Sequence, residues 1–347
     1  MRLPDAGVLY LRDRKKVIVT REFGLAFNRR FEQWMFLIIP GALFLGFIFS
    51  DQLLPFAGLA PWLFAYVTLV MAIGCGPEQL LVVLRRPWAI LLSLLLAHVV
   101  SPLAAYGAGT LLLGSDSPYV AGLVLFTLIP LGVSTVLWVA LSGGSVPLVL
   151  AMVVLDSLLS PIVVPAGIRL LFSQGVSVDT GSVISDLLLI VVLPTVAGVL
   201  LHIASRGRIQ PAVKPYAVPL SKLCFIGVVS LNAAVIAPHA ALLKADMIRI
   251  VPLVILLVGF CYAIGFIGTI PMRSRQLQTT VSYATGMRNI SLGTVLAMGY
   301  FSPLAAVPVV LSILIQQPLA TLHHYVLRKI YNDRSGAAER REGTIQS

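Results

Sequence analysis

The chain is predicted to be an all-α integral membrane protein of about ten transmembrane helices, on three observations: its composition, its apolar windows, and the side on which its basic residues fall. Of 347 residues, 58% are hydrophobic and 11% charged, with a mean hydropathy of +0.95, whereas soluble domains carry roughly 25% charged residues. No water-soluble core encloses so much apolar surface. At about 20 residues per span plus short loops, the length accommodates about ten helices in one membrane domain.

Residues 1–34 are too long and too mixed in charge for a cleaved signal peptide, and are read as a cytoplasmic lead-in whose Val17–Thr20 run lies at the membrane surface. Apolar windows bounded by charge or by Gly/Pro clusters then predict five spans: Met35–Ser50, a short Gly-ended Pro61–Cys75, Pro87–Tyr106, Tyr119–Leu141 and Val146–Phe172. Five more follow at Ser185–Ala204, Leu220–Ala237, Ile248–Pro271, Thr280–Tyr300 and Pro303–Leu327. The transmembrane domain is thus 35–330, with halves at 35–172 and 185–330. Residues 331–347 form a cytoplasmic tail, disordered from Asn332 onward by composition.

The basic residues test this map independently, because Lys and Arg concentrate in cytoplasmic loops. Twenty-one of the 25 fall on one side, in the lead-in, the tail, and the loops holding Arg85 and Arg86, Arg206 to Lys222, and Arg273 and Arg275. The opposite loops carry Asp51, Asp116, Asp179 and Asp246, with Lys244 and Arg249 as exceptions. Both termini are therefore expected in the cytoplasm, of a bacterial inner membrane, and the net charge of +11 reflects topology. It argues for anionic lipid headgroups and not for nucleic acid. Trp34, Trp62 and Trp88 sit at span ends as interfacial anchors. Cys75, Cys224 and Cys261, odd in number and scattered through spans, read as apolar fillers.

Chemistry is sought where polar or helix-breaking residues interrupt the apolar runs, since a charge at bilayer depth costs at least ~2.5 kcal/mol. In the fourth span Pro130 removes a backbone donor and Gly132 permits a non-helical turn beside Ser134 and Thr135. The ninth holds Thr285-Gly286-Met287-Arg288-Asn289-Ile290-Ser291, polar groups around a glycine. Gly132 and Gly286 lie 154 residues apart, close to the offset between the halves. Five spans per half invert the second half, and paired breaks in inverted repeats point to a secondary transporter's midplane site.

Gly286-Met287-Arg288-Asn289, then Ser291-Leu292 and Leu296-Ala297, resemble the ninth-helix motif of the bile acid:sodium symporter family. The resemblance extends to Leu84-Arg85-Arg86-Pro87, Pro102, Pro130 and Gly132, and Ser160-Pro161, over nearly all of the chain after residue 35. It implies two inverted five-helix repeats. A core domain, formed by the third to fifth and eighth to tenth spans, carries two crossed, broken helices. The first, second, sixth and seventh spans form a panel. An organic anion is implied to bind between core and panel, driven by sodium held in the core.

Carried over by position, the sodium pattern fails. The family's glutamate falls on Ala284 and its glutamine on Arg288; a serine falls on Thr135 but the adjacent asparagine on Val136; a threonine falls on Val153 and a serine on Asp156; a third-helix glutamine falls near Ala97, beside His98. Thr135 and Asn289 keep family-like chemistry. Asp156 and Arg288 stand where ligands were lost, and the expectation is that they pair, directly or through water, because neither charge is tolerable alone. The pair either locks the helix crossing or works in transport, with Arg288 standing in for the cation or holding an anionic group and Asp156 carrying a proton. His98 reads more readily as a hydrogen-bonded structural residue than as a proton relay. Ser134, Thr135 and Ser291 either line the site or bond neighbouring helices, and Gln316 and Gln317 either face the core or cross-link helices.

No clustered His, Cys or acidic chemistry of a membrane enzyme occurs, and no phosphate-cradling Gly-rich motif. No cofactor is expected. A channel or sensor leaves the matched breaks unexplained, and the arsenite carriers' cysteine is missing from Ile129-Pro130-Leu131. The expected function is alternating-access transport of a small organic anion, not sodium-coupled in the family's usual manner, with a sodium-coupled bile-acid-like symporter as the alternative.

Overall fold

Proline marks where several helices begin. Its fixed φ suits the first turn and its missing N–H is no loss there, and the computed structural model, which describes residues 6–172 and 179–345, places Pro77, Pro87, Pro118 and Pro147 in helical first turns. The helices are α1 Ala6–Ile48, α2 Ser50–Ala72, α3 Pro77–Arg85, α4 Pro87–Leu113, α5 Pro118–Leu128, α6 Thr135–Leu141 and α7 Val146–Leu171. Then come α8 Thr180–Ala204, α9 Ile209–Ile236, α10 Ala240–Gly268, α11 Arg275–Gly286, α12 Ile290–Tyr300 and α13 Pro303–Ile345.

Among the described residues, seven helices are long and apolar enough to cross a membrane. The first, fourth and ninth expected spans are instead represented by the shorter apolar stretches Leu37–Ile48, Pro118–Leu128 and Ile290–Tyr300. The latter two are short because their spans are interrupted, and at 1.5 Å per residue neither half alone reaches across a ~30 Å hydrocarbon core. At both ends the helices run on, and for the tail this corrects the expected disorder. The lead-in continues without a break into the first span as one 43-residue helix, and the tail continues α13 to Ile345, since Ala337-Ala338-Glu339-Arg340-Arg341-Glu342 are strong helix formers. Residues 1–5 and 346–347 of these segments lie outside the described residues.

α1 packs along α9 at very small separation. A Cβ on Gly24 would stand 1.9 Å from the Pro215 carbonyl oxygen, and one on Gly46 2.3 Å from that of Ser230, so these positions admit only glycine. α8 and α9 flank α2, while α10 packs on α11 and α13, and α5 on α4 and α13. The outward faces stay apolar: Leu111 is 84% and Ile248 81% exposed. Lipid is the solvent that such a surface requires, and Trp34, Trp62 and Trp88 are likewise exposed.

Candidate functional site

Ile129, held extended ahead of Pro130 (φ −60°, ψ 150°), ends α5 and starts a stretch that runs without helix to Ser134. On the other side α11 ends at Gly286 and Met287 is also extended. The two extended stretches meet as a short antiparallel pair in which Leu131 opposes Arg288. Gly132 N–H donates to the Met287 carbonyl (3.1 Å) and Asn289 N–H to that of Pro130 (2.8 Å).

Side chains complete the pairing at its edges. Gln316 of α13 accepts from Arg288 N–H (2.8 Å) and donates through Nε2 to the Arg288 carbonyl (3.2 Å). Asp156 of α7 accepts from Leu131 N–H (2.7 Å). Thr135 Oγ1 donates to the Gly132 carbonyl (2.5 Å), and Asn289 caps α12 by accepting from Leu292 N–H. The backbone donors of a broken membrane helix are thus satisfied inside the protein, as lipid demands. Gly132 has an ordinary φ, and its smallness is needed for proximity: a Cβ there would lie 2.7 Å from the Arg288 carbonyl oxygen. Gly286 is not itself in the break. It ends α11 where a Cβ would strike the Tyr262 ring at 2.4 Å.

The expected Asp156–Arg288 pair does not form directly. His98 Nε2 of α4 lies 2.6 Å from Asp156 Oδ1, with the carboxylate 1% and the imidazole 7% exposed. Arg288, 1% exposed, donates from Nη2 to the Ala97 carbonyl at 2.8 Å. The cause lies in α4. Residues Leu96–Val100 widen into a π turn, so Ser101 N–H bonds Leu96, and Pro102 has no N–H to offer Ala97. The freed carbonyl accepts the guanidinium. His98, read from sequence as a hydrogen-bonded structural residue, is the carboxylate's hydrogen-bond partner, and its Nδ1 is buried with no hydrogen-bond partner, as are Arg288 Nε and Nη1.

Beside the crossing lies a cavity of about 480 Å³. Gly132, Ser134, Asn289, Ser291, Gln316 and Gln317 line one wall, and Phe64, Met71, Phe225 and Lys222 belong to α2 and α9 opposite. Arg288 touches the wall, but its guanidinium is engaged at Ala97, which is not part of the lining. Asp156, His98 and Thr135 lie behind the wall. Gln317 accepts from Trp138 Nε1 (2.8 Å) and donates to Ser134 Oγ (3.4 Å), so both glutamines tie α13 to the breaks. Lys222, counted from sequence with the cytoplasmic loops, instead lies within α9 on the cavity, donating to the Asn28 carbonyl (2.9 Å) with Phe31 beneath its ammonium (5.2 Å). A lysine three residues after Pro219 in an otherwise apolar stretch was its only signal.

Two interrupted helices crossing at a polar-edged cavity inside a lipid-facing bundle define a membrane transporter. The chain belongs to the sodium bile acid symporter family, whose description matches residues 60–239. YbaS of Bacillus subtilis (strain 168) is 33% identical over 295 residues, covering 84% of this chain and 96% of that protein. YocS of the same organism, named a sodium-dependent transporter, is 29% identical over 263 residues, covering 73% and 80%. A chloroplastic protein of Oryza sativa subsp. japonica named as a sodium/metabolite cotransporter, BASS2, is 27% identical and covers 66% and 54%.

Proposed function

We propose that the chain is a carrier for a small organic anion, working by alternating access across a bacterial inner membrane. The observation that carries this reading is the paired crossing at one wall of a mostly apolar cavity, because a midplane site bounded by broken helices suits a solute that must be exposed to each side in turn. In this reading there are ten spans in two inverted repeats, with both termini cytoplasmic. The packing of α1, α2, α8 and α9 on one another supports a panel, and that of α4, α5, α7 and α10–α13 a core. Lys222 on the panel face, with the α12 N-terminus across the cavity, supports an anionic solute.

The donor set at the family's sodium positions does not fit a sodium ion. Ala284 and Val153 are fully buried and offer no side-chain oxygen, nor does Val136; Asp156 is engaged by His98 and Leu131; Arg288 offers only donors. This supports a carrier driven without sodium, whereas the names of YocS and BASS2 favour the sodium-coupled alternative.

The test is counterflow in proteoliposomes: preload with unlabelled acetate, hexanoate, benzoate, pyruvate, succinate or taurocholate, and follow entry of the same labelled compound. Transient accumulation of at least one anion, unchanged when sodium is replaced by choline, is expected. Failure of every anion to exchange removes the carrier reading. Exchange that requires sodium reinstates the alternative.

A further inference from the structure

Asp156, His98 and Arg288 place ionisable groups where a hydrophobic membrane core tolerates them only in compensated form. Asp156 and Arg288 balance each other's charge through the Ala97–His98 segment. His98 donates its Nε2 hydrogen to the carboxylate, which is acceptor-only when ionised, and this leaves Nδ1 as a lone pair with no donor opposite it. The other carboxylate oxygen holds Leu131 N–H, the residue that opposes Arg288 in the crossing.

We propose that the His98–Asp156 pair is a proton-binding site that sets the strength of the helix crossing, and so couples proton binding to alternation of the cavity. This rests on the carrier reading. A proton from the aqueous phase adds to Nδ1, giving an imidazolium whose Nε2–H is drawn more strongly to Oδ1. No bond between heavy atoms changes. The carboxylate, now ion-paired, is a weaker acceptor for Leu131 N–H, and the hold of α7 on the crossing slackens. Loss of the proton restores it. The fixed guanidinium, anchored on the residue before His98, makes the protonated state carry one net positive charge, which an anion in the neighbouring cavity relieves.

Among the described residues, the helices packed on α7 bring further titratable groups: α3 carries Glu78 and Arg85, and α8 carries Asp186, which accepts from Tyr300. α10 brings Cys261 and Tyr262, and α11 brings Tyr283; the two hydroxyls donate to the Gln316 and Ala320 carbonyls. On the pair's own helices Arg169 lies at the far end of α7, and on α5 Tyr119 is bonded to Asp246 at the opposite end from the break.

The experiment needs no substrate. Ala140, exposed and on the cavity wall, is replaced by cysteine in a chain with Cys75, Cys224 and Cys261 changed to alanine, and its labelling by a membrane-impermeant maleimide is followed in proteoliposomes from pH 5.5 to 8. Rates are corrected for the thiolate fraction. The corrected rate should change by about tenfold across this range. His98→Gln and Asp156→Asn should flatten it, while the His323→Gln/His324→Gln double substitution should not. A flat profile in the parent chain overturns the proposal, as does an unchanged profile in either flattening variant that elutes as folded protein. Should neither variant fold, a pH-difference infrared spectrum of a chain with His202, His239, His323 and His324 all changed to glutamine, so that His98 is its one histidine, decides: absence of a histidine ring band overturns it, presence supports it. Counterflow with the anions above, run on the same vesicles, separates failure of this coupling from failure of the carrier reading.

Discussion

Gly132 carries the sharpest consequence of the crossing at the level of a single residue. Because a methyl group there would stand 2.7 Å from the Arg288 carbonyl oxygen, Gly132→Ala must push the two extended stretches apart and weaken the bond from Gly132 N–H to Met287. Overpacking of this kind costs about 1–3 kcal/mol, so counterflow should fall at least tenfold and the thermal midpoint should drop; unchanged exchange would mean the crossing is not held closed in the working protein. Lys222 gives the complementary prediction on the opposite wall. Lys222→Gln keeps a donor but removes the charge, and the half-saturation concentration for an exchanged carboxylate should rise about tenfold, the effect of roughly 1.4 kcal/mol, while exchange of an uncharged analogue such as hexanamide is unaffected.

Elements explain why those residues meet, and why part of the site was legible from sequence and part was not. Pro130 and the polar run around Arg288 announced two breaks, and a carboxylate and a guanidinium in apolar helices announced a buried charge problem. Their partners were hidden because a π turn in α4 depends on how Ser101 N–H and Pro102 divide the carbonyls of Leu96 and Ala97, and no periodicity in Leu96–Val100 marks it. Gln316 was likewise visible as a polar residue but not as the edge partner of Arg288, since that depends on α13 lying alongside the break. Pro102→Ala tests the account. A restored N–H at 102 lets α4 close as a regular helix, Ser101 N–H competes for the Ala97 carbonyl, and the guanidinium loses its acceptor. An unpaired buried charged donor costs about 1–3 kcal/mol or more, so the thermal midpoint should fall; a rise would show that helix regularity outweighs the guanidinium anchor. At the start of α8, Asp179 accepts from Ser182 Oγ and Gly181 N–H, and these bonds, the hydroxyl's first, hold its carboxyl below the ordinary carboxylate range. A folded-state value below the unfolded one contributes stability that is present above the unfolded value, near 4, and lost as pH falls through the folded one. Hydrogen-exchange protection at the first turn of α8, taken relative to the intrinsic amide rate at each pH, should therefore fall below about pH 4 in the parent chain, and Asp179→Ala should abolish that loss of protection.

For the whole molecule the question becomes how much charge crosses the membrane in one cycle. A carrier that moves two sodium ions with a monoanion transfers one net positive charge, and a potential of 100 mV is then worth about 2.3 kcal/mol, or roughly fiftyfold in accumulation. Among the described residues the buried charges are Arg288 and Asp156, which remain in the protein, and the proposed cycle adds one proton at His98. A proton and a monoanion sum to zero. Accumulation of an exchanged monoanion should therefore follow an imposed pH gradient and stay level when a potassium diffusion potential of either sign is set with valinomycin at constant pH. A dependence on that potential approaching fiftyfold per 100 mV would show that a further cation travels with the substrate, and the loss of side-chain oxygens at Ala284, Val136 and Val153 would then have to be made good by backbone carbonyls at the crossing.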